Sequence, residues 1–232
     1  MANVSTRQLK KQVLEWLRHP DFETCVSRIL GLPLRRVVNP LFSFLYSLDD
    51  SVKWRAVSAM GAVVSELAAA EIESARIVMR RFIWNLNDES GGIGWGSPEA
   101  MGETMARSRQ LAEEFGCILV SYLRPDMNYL EHEALQRGVI WGLGRLAHER
   151  PGLVDEAGRF LPPYLDSVDP VLRGMAVWTA GAFPLAFNRK RLEALAGDGC
   201  TFKLYRNNRL EVVIIGHLAV EILKSGEKRT TR

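Results

Sequence analysis

The sequence predicts an all-α fold, a right-handed solenoid of about six helical hairpins, and three observations carry that expectation. First, a pattern of small residues ending in glycine recurs. It reads Arg55-Ala-Val-Ser-Ala-Met-Gly61, Gly96-Ser-Pro-Glu-Ala-Met-Gly102, Gly138-Val-Ile-Trp-Gly-Leu-Gly144 and Met175-Ala-Val-Trp-Thr-Ala-Gly181. Its glycines are 41, 42 and 37 residues apart, a period that belongs to stacked helical pairs. Second, apolar residues between the turn signals keep helical spacing. Third, 232 residues that are 47% hydrophobic can bury a continuous core, so one domain over 1–232 is expected, with a polar, flexible tail at 225–232.

Each repeat reads as a helix A, a turn, and a helix B that carries the pattern. In the second repeat, Asn39-Pro40 opens helix A, with Leu41, Phe44, Leu45 and Leu48 at helical spacing. Asp49-Asp50-Ser51 turns the chain, and Ser51 can cap a B helix from Val52 to about Ala69. Small side chains at Ala56 and Gly61 let a neighbouring helix approach. The first repeat places helices at Thr6–Arg18 and Phe22–Leu30. The third runs from Glu71 to Leu86, crosses a Gly-rich loop, and resumes from Pro98 to about Arg109. The fourth covers Gln110–Arg124 and about Glu131–Glu149. The fifth covers Val154–Leu165 and Val171–Ala186. The sixth starts near Arg189, breaks at Gly197-Asp198-Gly199, and resumes from about Arg209 to Lys224, with a short extended strand possible at 201–205.

Composition narrows the function classes. Thirty basic against 27 acidic residues give no basic stripe of the kind a dedicated nucleic-acid binder carries. The three cysteines, Cys25, Cys117 and Cys200, are far apart and form no CxxC pair, as in a protein of a reducing compartment. The N-terminus lacks an apolar leader core, and the longest near-apolar run, Gly174 to Phe187, has 14 residues, too few to span a bilayer. A cytoplasmic location is expected. The histidines (His19, His132, His148, His217) show no metal-ligand spacing, and no nucleotide loop or Ser-His-Asp arrangement is present. No cofactor and no metal are expected.

The segments Asp50-Ser-Val-Lys-Trp-Arg-Ala-Val-Ser-Ala-Met-Gly61 and Asp169-Pro-Val-Leu-Arg-Gly-Met-Ala-Val-Trp-Thr-Ala-Gly181 resemble HEAT-like repeats, including the short variety of phycobilisome lyases. The resemblance covers about residues 39 to 186. It implies an armadillo-like helical fold and leaves activity open, because that family spans scaffolds, lyases and DNA-repair enzymes.

The third repeat breaks the template. Its A-to-B turn, from Trp84 through Asp88, Glu89 and Trp95 to Ser97-Pro98-Glu99, takes about ten residues, with four glycines among 91 to 96. Loops that outgrow their repeat usually do so for function. The turns of a helical array emerge on one edge, so the turn of the fourth repeat, with Tyr129 and His132, should lie alongside. Trp141 and Trp178 stand three residues before their glycines, where the third repeat carries Glu99. Trp84, Asp88, Glu89, Trp95, Glu99, Glu103, Tyr129 and His132 are the candidate binding residues. Their excess of carboxylates favours a basic peptide or protein partner over an anion.

The expected function is a protein- or peptide-binding scaffold that uses the concave face and the enlarged 87–97 loop. The alternative is a HEAT-like enzyme. Trp84-x-x-x-Asp88 resembles the aromatic-plus-aspartate pair of HEAT-like alkylpurine DNA glycosylases, which would give Arg137 or Arg145 a phosphate contact; a lyase acting on a modified protein is the other form. Nucleic acid is a secondary partner class, and no membrane is expected.

Overall fold

The computed structural model describes residues 5–87 and 94–230. The chain divides into two compact units, Met1–Phe115 and Gly116–Arg232.

The first unit builds three hairpins. α1 (Thr6–Arg18) starts at a capping box in which Ser5 and Gln8 satisfy each other's backbone N–H, and α2 (Phe22–Leu30) starts on Asp21. α3 (Leu34–Phe44) begins six residues before the expected Pro40 start. Leu34 to Asn39 extend the helix upstream, and Pro40 is accepted inside it, buried. α4 (Asp50–Ala70) is capped by Asp49, not Ser51: the Asp49 carboxylate accepts from the N–H groups of Ser51 and Val52. α5 (Ile72–Leu86) and α6 (Ser97–Arg107) complete the unit. α4 packs against α3, α5 and α6. It is therefore buried along most of its length, from Val52 to Leu67, as a helix enclosed by neighbours must be.

α7 (Arg109–Ser121) leads into the second unit, where α8 (Glu133–Glu149), α10 (Pro170–Ala180) and α12 (Ile215–Thr230) form successive B helices. The fifth A helix is not continuous. It comprises 3-10 turns at Pro151–Leu153 and Asp155–Phe160, then α9 (Pro162–Leu165). Pro162 and Pro163 have no N–H to give the preceding turn, and the Gly158 carbonyl is instead satisfied by Asn188 Nδ2–H at 3.0 Å. Trp141 and Trp178 stack at 6.0 Å between ring centroids, so the equivalent tryptophans pack one repeat on the next.

After α11 (Arg189–Ala194), the expected short strand is a full hairpin, β1 (Thr201–Arg206) with β2 (Arg209–Ile214). Asn207 and Asn208 both take left-handed conformations, φ 51° and 59°, which suits a two-residue hairpin turn. The helix expected from Arg209 starts only at Ile215 because Val212-Val213-Ile214 pairs as strand. α12 continues through 225–230 of the polar tail.

The repeat register is set by the caps. Asp49 to Gly61, His132 to Gly144 and Asp169 to Gly181 are each twelve residues. A Cβ on Gly61 would stand 2.5 Å from Glu103 Cγ, one on Gly144 2.5 Å from Thr179 Oγ1, and one on Gly181 3.0 Å from Ile222 Cγ1. Each glycine thus admits the next B helix. Gly102 departs from the expected match: it lies six residues past the α6 cap Gly96, and Ser108 holds the twelfth position.

Candidate functional site

The A-to-B turns concentrate apolar side chains that the core does not take. Leu48 and Val168 directly precede the caps of α4 and α10, and each is 98% exposed. Trp95 holds the same position before α6 and is 42% exposed, while Trp84, in the last turn of α5, is 64% exposed. Much of the Trp95 side chain thus faces solvent, as a binding residue requires. In the second unit, Met127 and Tyr129 are exposed in the turn before α8. Of the exposed large apolar side chains among the described residues, Ile77 and Val212 lie elsewhere.

Local chemistry fixes these turns. Gly96 has φ +76°, and a Cβ there would meet Leu45 Cβ at 2.8 Å and Leu45 O at 2.9 Å. Only glycine suits both constraints, and the contact lays the Trp95 turn on Leu45 at the end of α3. Asn128 Nδ2–H donates to Ser121 Oγ at 3.1 Å, and Gln136 Nε2–H to the Tyr129 hydroxyl at 2.6 Å. His132 caps α8, its Nδ1 accepting from Ala134 N–H at 3.2 Å. Glu131 and Glu133 beside it are exposed.

Glu99 and Glu103 are not surface side chains. Each is 4% exposed. Counted from the caps, Glu99 occupies the place of Val52, Leu135 and Leu172, and Glu103 that of Ala56, Val139 and Ala176. The third-repeat counterpart of Trp141 and Trp178 is Met105, not Glu99. Lys53 Nζ donates to Glu99 Oε1 at 2.9 Å, and Arg107 Nε to Glu103 Oε1 at 2.6 Å. Glu99 Oε2 is buried without a hydrogen-bond partner, as are Ser97 Oγ and Thr104 Oγ1. Ion pairing offsets part of the desolvation of these carboxylates; Glu99 keeps an unused acceptor. Asp88 and Glu89 lie outside the described residues. Arg137 is paired with Asp169 at 2.7 Å and Arg145 with Glu149 at 3.4 Å. Among the described residues no group of three or more His, Cys, Asp or Glu could hold a metal ion, and no helix is long and apolar enough to cross a membrane.

Sequence reasoning passed over Leu48 and Val168, although the signal was present: both stand immediately before an aspartate cap.

No protein-family model matches the chain. An uncharacterized protein of Archaeoglobus fulgidus is 30% identical over 107 residues, which cover 46% of this chain and 52% of the relative. The chain thus spans about half the length of that relative. Among solved structures, an engineered protein matches with TM-score 0.52 at 15% identity, over 95% of this chain and 96% of its own. A designed armadillo repeat protein in complex with the peptide (KR)4 matches with TM-score 0.52 at 18% identity, over 94% and 99%. An archaeal HEAT-like repeats protein from Thermococcus onnurineus NA1 aligns over 98% and 99% at 17% identity, with TM-score 0.39. The fold is that of an armadillo-like helical repeat protein. The likeness extends to the fold and not to the phycobilisome-lyase variety in particular.

Proposed function

We propose that this chain is a binding scaffold for a protein or peptide, and that its A-to-B turns make the contact. The observation that carries the reading is made in each unit by itself: Leu48, Trp84 and Trp95 in the first, and Met127, Tyr129 and Val168 in the second, are large apolar side chains held at turns and exposed. Isolated exposed apolar residues are ordinary; their concentration at one kind of structural position is what marks a contact surface. Tryptophan and tyrosine supply much contact area for little rotamer entropy, which is why interfaces favour them.

Charge favours a basic partner. Asp49 and Asp50 directly follow Leu48, and Glu131 and Glu133 flank His132, all four exposed. Asp88 and Glu89 stay candidates on their sequence alone, while Glu99 and Glu103 are buried in ion pairs and make no direct contact. The designed armadillo protein of like fold, in complex with (KR)4, is consistent with a cationic partner. The glycosylase alternative gains no comparable support, since both candidate phosphate-contacting arginines are ion-paired.

The test is capture of partners from native extract on immobilised protein, comparing wild type with Leu48→Ser/Trp95→Ala, Met127→Ser/Val168→Ser and Asp88→Asn/Glu89→Gln. The expected result is one specific species, weakened by the apolar pairs and by salt, because exposed charges are screened beyond roughly 10 Å at 0.1 M. A partner held equally by all variants would overturn the turns as the contact residues.

A further inference from the structure

The hairpin near the C-terminus has one edge that the fold uses and one that it leaves open. Its two-residue turn makes Arg206↔Arg209 a hydrogen-bonded pair, and in an antiparallel ladder such pairs alternate with non-bonded ones. Leu204↔Glu211 and Phe202↔Val213 are then bonded pairs, whereas Tyr205↔Leu210, Lys203↔Val212 and Thr201↔Ile214 turn their N–H and C=O groups outward. Two bonds confirm the parity. Ile215 N–H donates to Cys200 O at 3.0 Å, continuing the bonded series. The outward carbonyl of Tyr205 accepts from Trp141 Nε1–H at 2.9 Å.

On the β1 side, therefore, the helical array takes up an outward group. On the β2 side, among the described residues, no hydrogen bond outside the hairpin reaches Leu210 or Val212. The devices that usually blunt such an edge are missing. Residues 210–214 contain no proline or lysine, and Glu211, the one charge, is turned to Arg206 at 2.9 Å. Val212 is 73% exposed. An open, β-branched edge of this kind is a template for another strand.

We propose that β2 pairs antiparallel with β2 of a second copy of this chain, centred on Val212, to give a four-stranded sheet across a two-fold axis. The choice of occupant rests on self-complementarity. A two-fold contact must match a surface to itself, and centring on Val212 does so group by group. Val212 N–H donates to the Val212 carbonyl of the other copy, and the reverse. The Leu210 carbonyl meets Ile214 N–H of the other copy, and the reverse. Every outward N–H from Val212 to Ile214 finds an acceptor. Side-chain neighbours become Val212–Val212, Leu210–Ile214 and Glu211–Val213, so no like charges stand opposite each other, and β-branched pairs favour the sheet. A shift of one residue would direct these outward groups away from each other.

Sedimentation of the full chain over a wide concentration series tests the proposal, with circular dichroism to check the fold. Wild type should show a concentration-dependent dimer. Val212→Pro removes only an outward N–H, a substitution edge strands tolerate. It should weaken association by about tenfold or more, the equivalent of two lost backbone hydrogen bonds per dimer. Val212→Lys and Val212→Glu should each be monomeric, and an equimolar mixture of the two should restore a dimer, because only the two-fold register brings residue 212 against residue 212. A wild type that stays monomeric throughout overturns the proposal. So does a dimer indifferent to Val212→Lys, or a mixture that does not associate. If the wild type is monomeric but binds a free peptide of the sequence Arg-Leu-Glu-Val-Val-Ile, the edge serves a foreign strand and the second copy is wrong.

Discussion

Replacing Gly144 with alanine adds one methyl group where the second unit has no room for it. The new Cβ would lie 2.5 Å from Thr179 Oγ1, 2.6 Å from Trp178 Cζ3 and 2.9 Å from Trp178 Cε3. Neither neighbour yields cheaply. The Trp178 ring is stacked against Trp141 at 6.0 Å and against His148 at 4.9 Å. Thr179 Oγ1–H donates to Ile140 O at 2.9 Å in the buried interior, and moving it sacrifices about 0.5–1.5 kcal/mol. Alanine gains up to about 1 kcal/mol of helix propensity over glycine. Overpacking costs roughly 1–3 kcal/mol. With the lost bond added and the propensity subtracted, Gly144→Ala should destabilise by about 1–3 kcal/mol. Gly152, with nothing within 4 Å of its added Cβ, is the control: Gly152→Ala should be neutral or stabilising by up to ~1 kcal/mol. Urea unfolding followed by tryptophan fluorescence and circular dichroism measures both. If Gly144→Ala is as stable as wild type, the helices can part, and the glycine is not what sets their approach.

Other outcomes follow from the same contacts. Lys53→Met leaves Glu99 buried with neither oxygen paired and should cost about 1–3 kcal/mol by urea unfolding. Glu99→Leu, which restores the side chain that α8 and α10 carry at that position, should be neutral or slightly stabilising. Should both cost the same, the pair is not a replaceable ion pair. Leu48→Ser and Val168→Ser should change unfolding free energy by no more than about 0.5 kcal/mol, since both side chains are exposed; a larger loss would mean these residues pack. Burial alone would raise the Asp198 carboxyl, but hydrogen bonds from the Arg173 guanidinium and the Cys200 N–H hold it below the ordinary value of 3.8. Its folded value is lower than its unfolded one, so its stabilisation is complete above pH 3.8 and disappears as pH falls through the folded value. Asp198→Asn should lose that stabilisation at neutral pH and flatten the acid limb of a pH–stability curve; an unchanged acid limb would show that other carboxylates dominate it.

What could be read from the sequence was what repeats. The glycines at 61, 144 and 181 and the boundaries of α1 and α2 came from periodicity and capping chemistry, both local. The third repeat was misaligned because Gly102 imitates the pattern, whereas α6 ends at Arg107 before its register position is reached. The burial of Glu99 was hidden for the same reason: a carboxylate reads as surface until the helix around it is known to be enclosed. The second strand was missed because Asn207-Asn208 commits the chain to a tight hairpin only when both residues take left-handed conformations. Leu48 and Val168 were assigned to helical spacing or to a turn, and their exposure depends on where the turn points.

The twelve-residue distance from cap to glycine divides the chain into segments whose length can drift and segments whose length cannot. One residue gained or lost between a cap and its glycine turns the glycine by about 100° around the helix axis and drives a side chain into the neighbouring repeat. One residue gained before the cap moves nothing in that register. Sequence added at an A-to-B turn is therefore tolerated, as the long connection between α5 and α6 illustrates. Peptide tags, epitopes or grafted loops belong in front of Asp49, His132 or Asp169 and never within the dozen residues that follow.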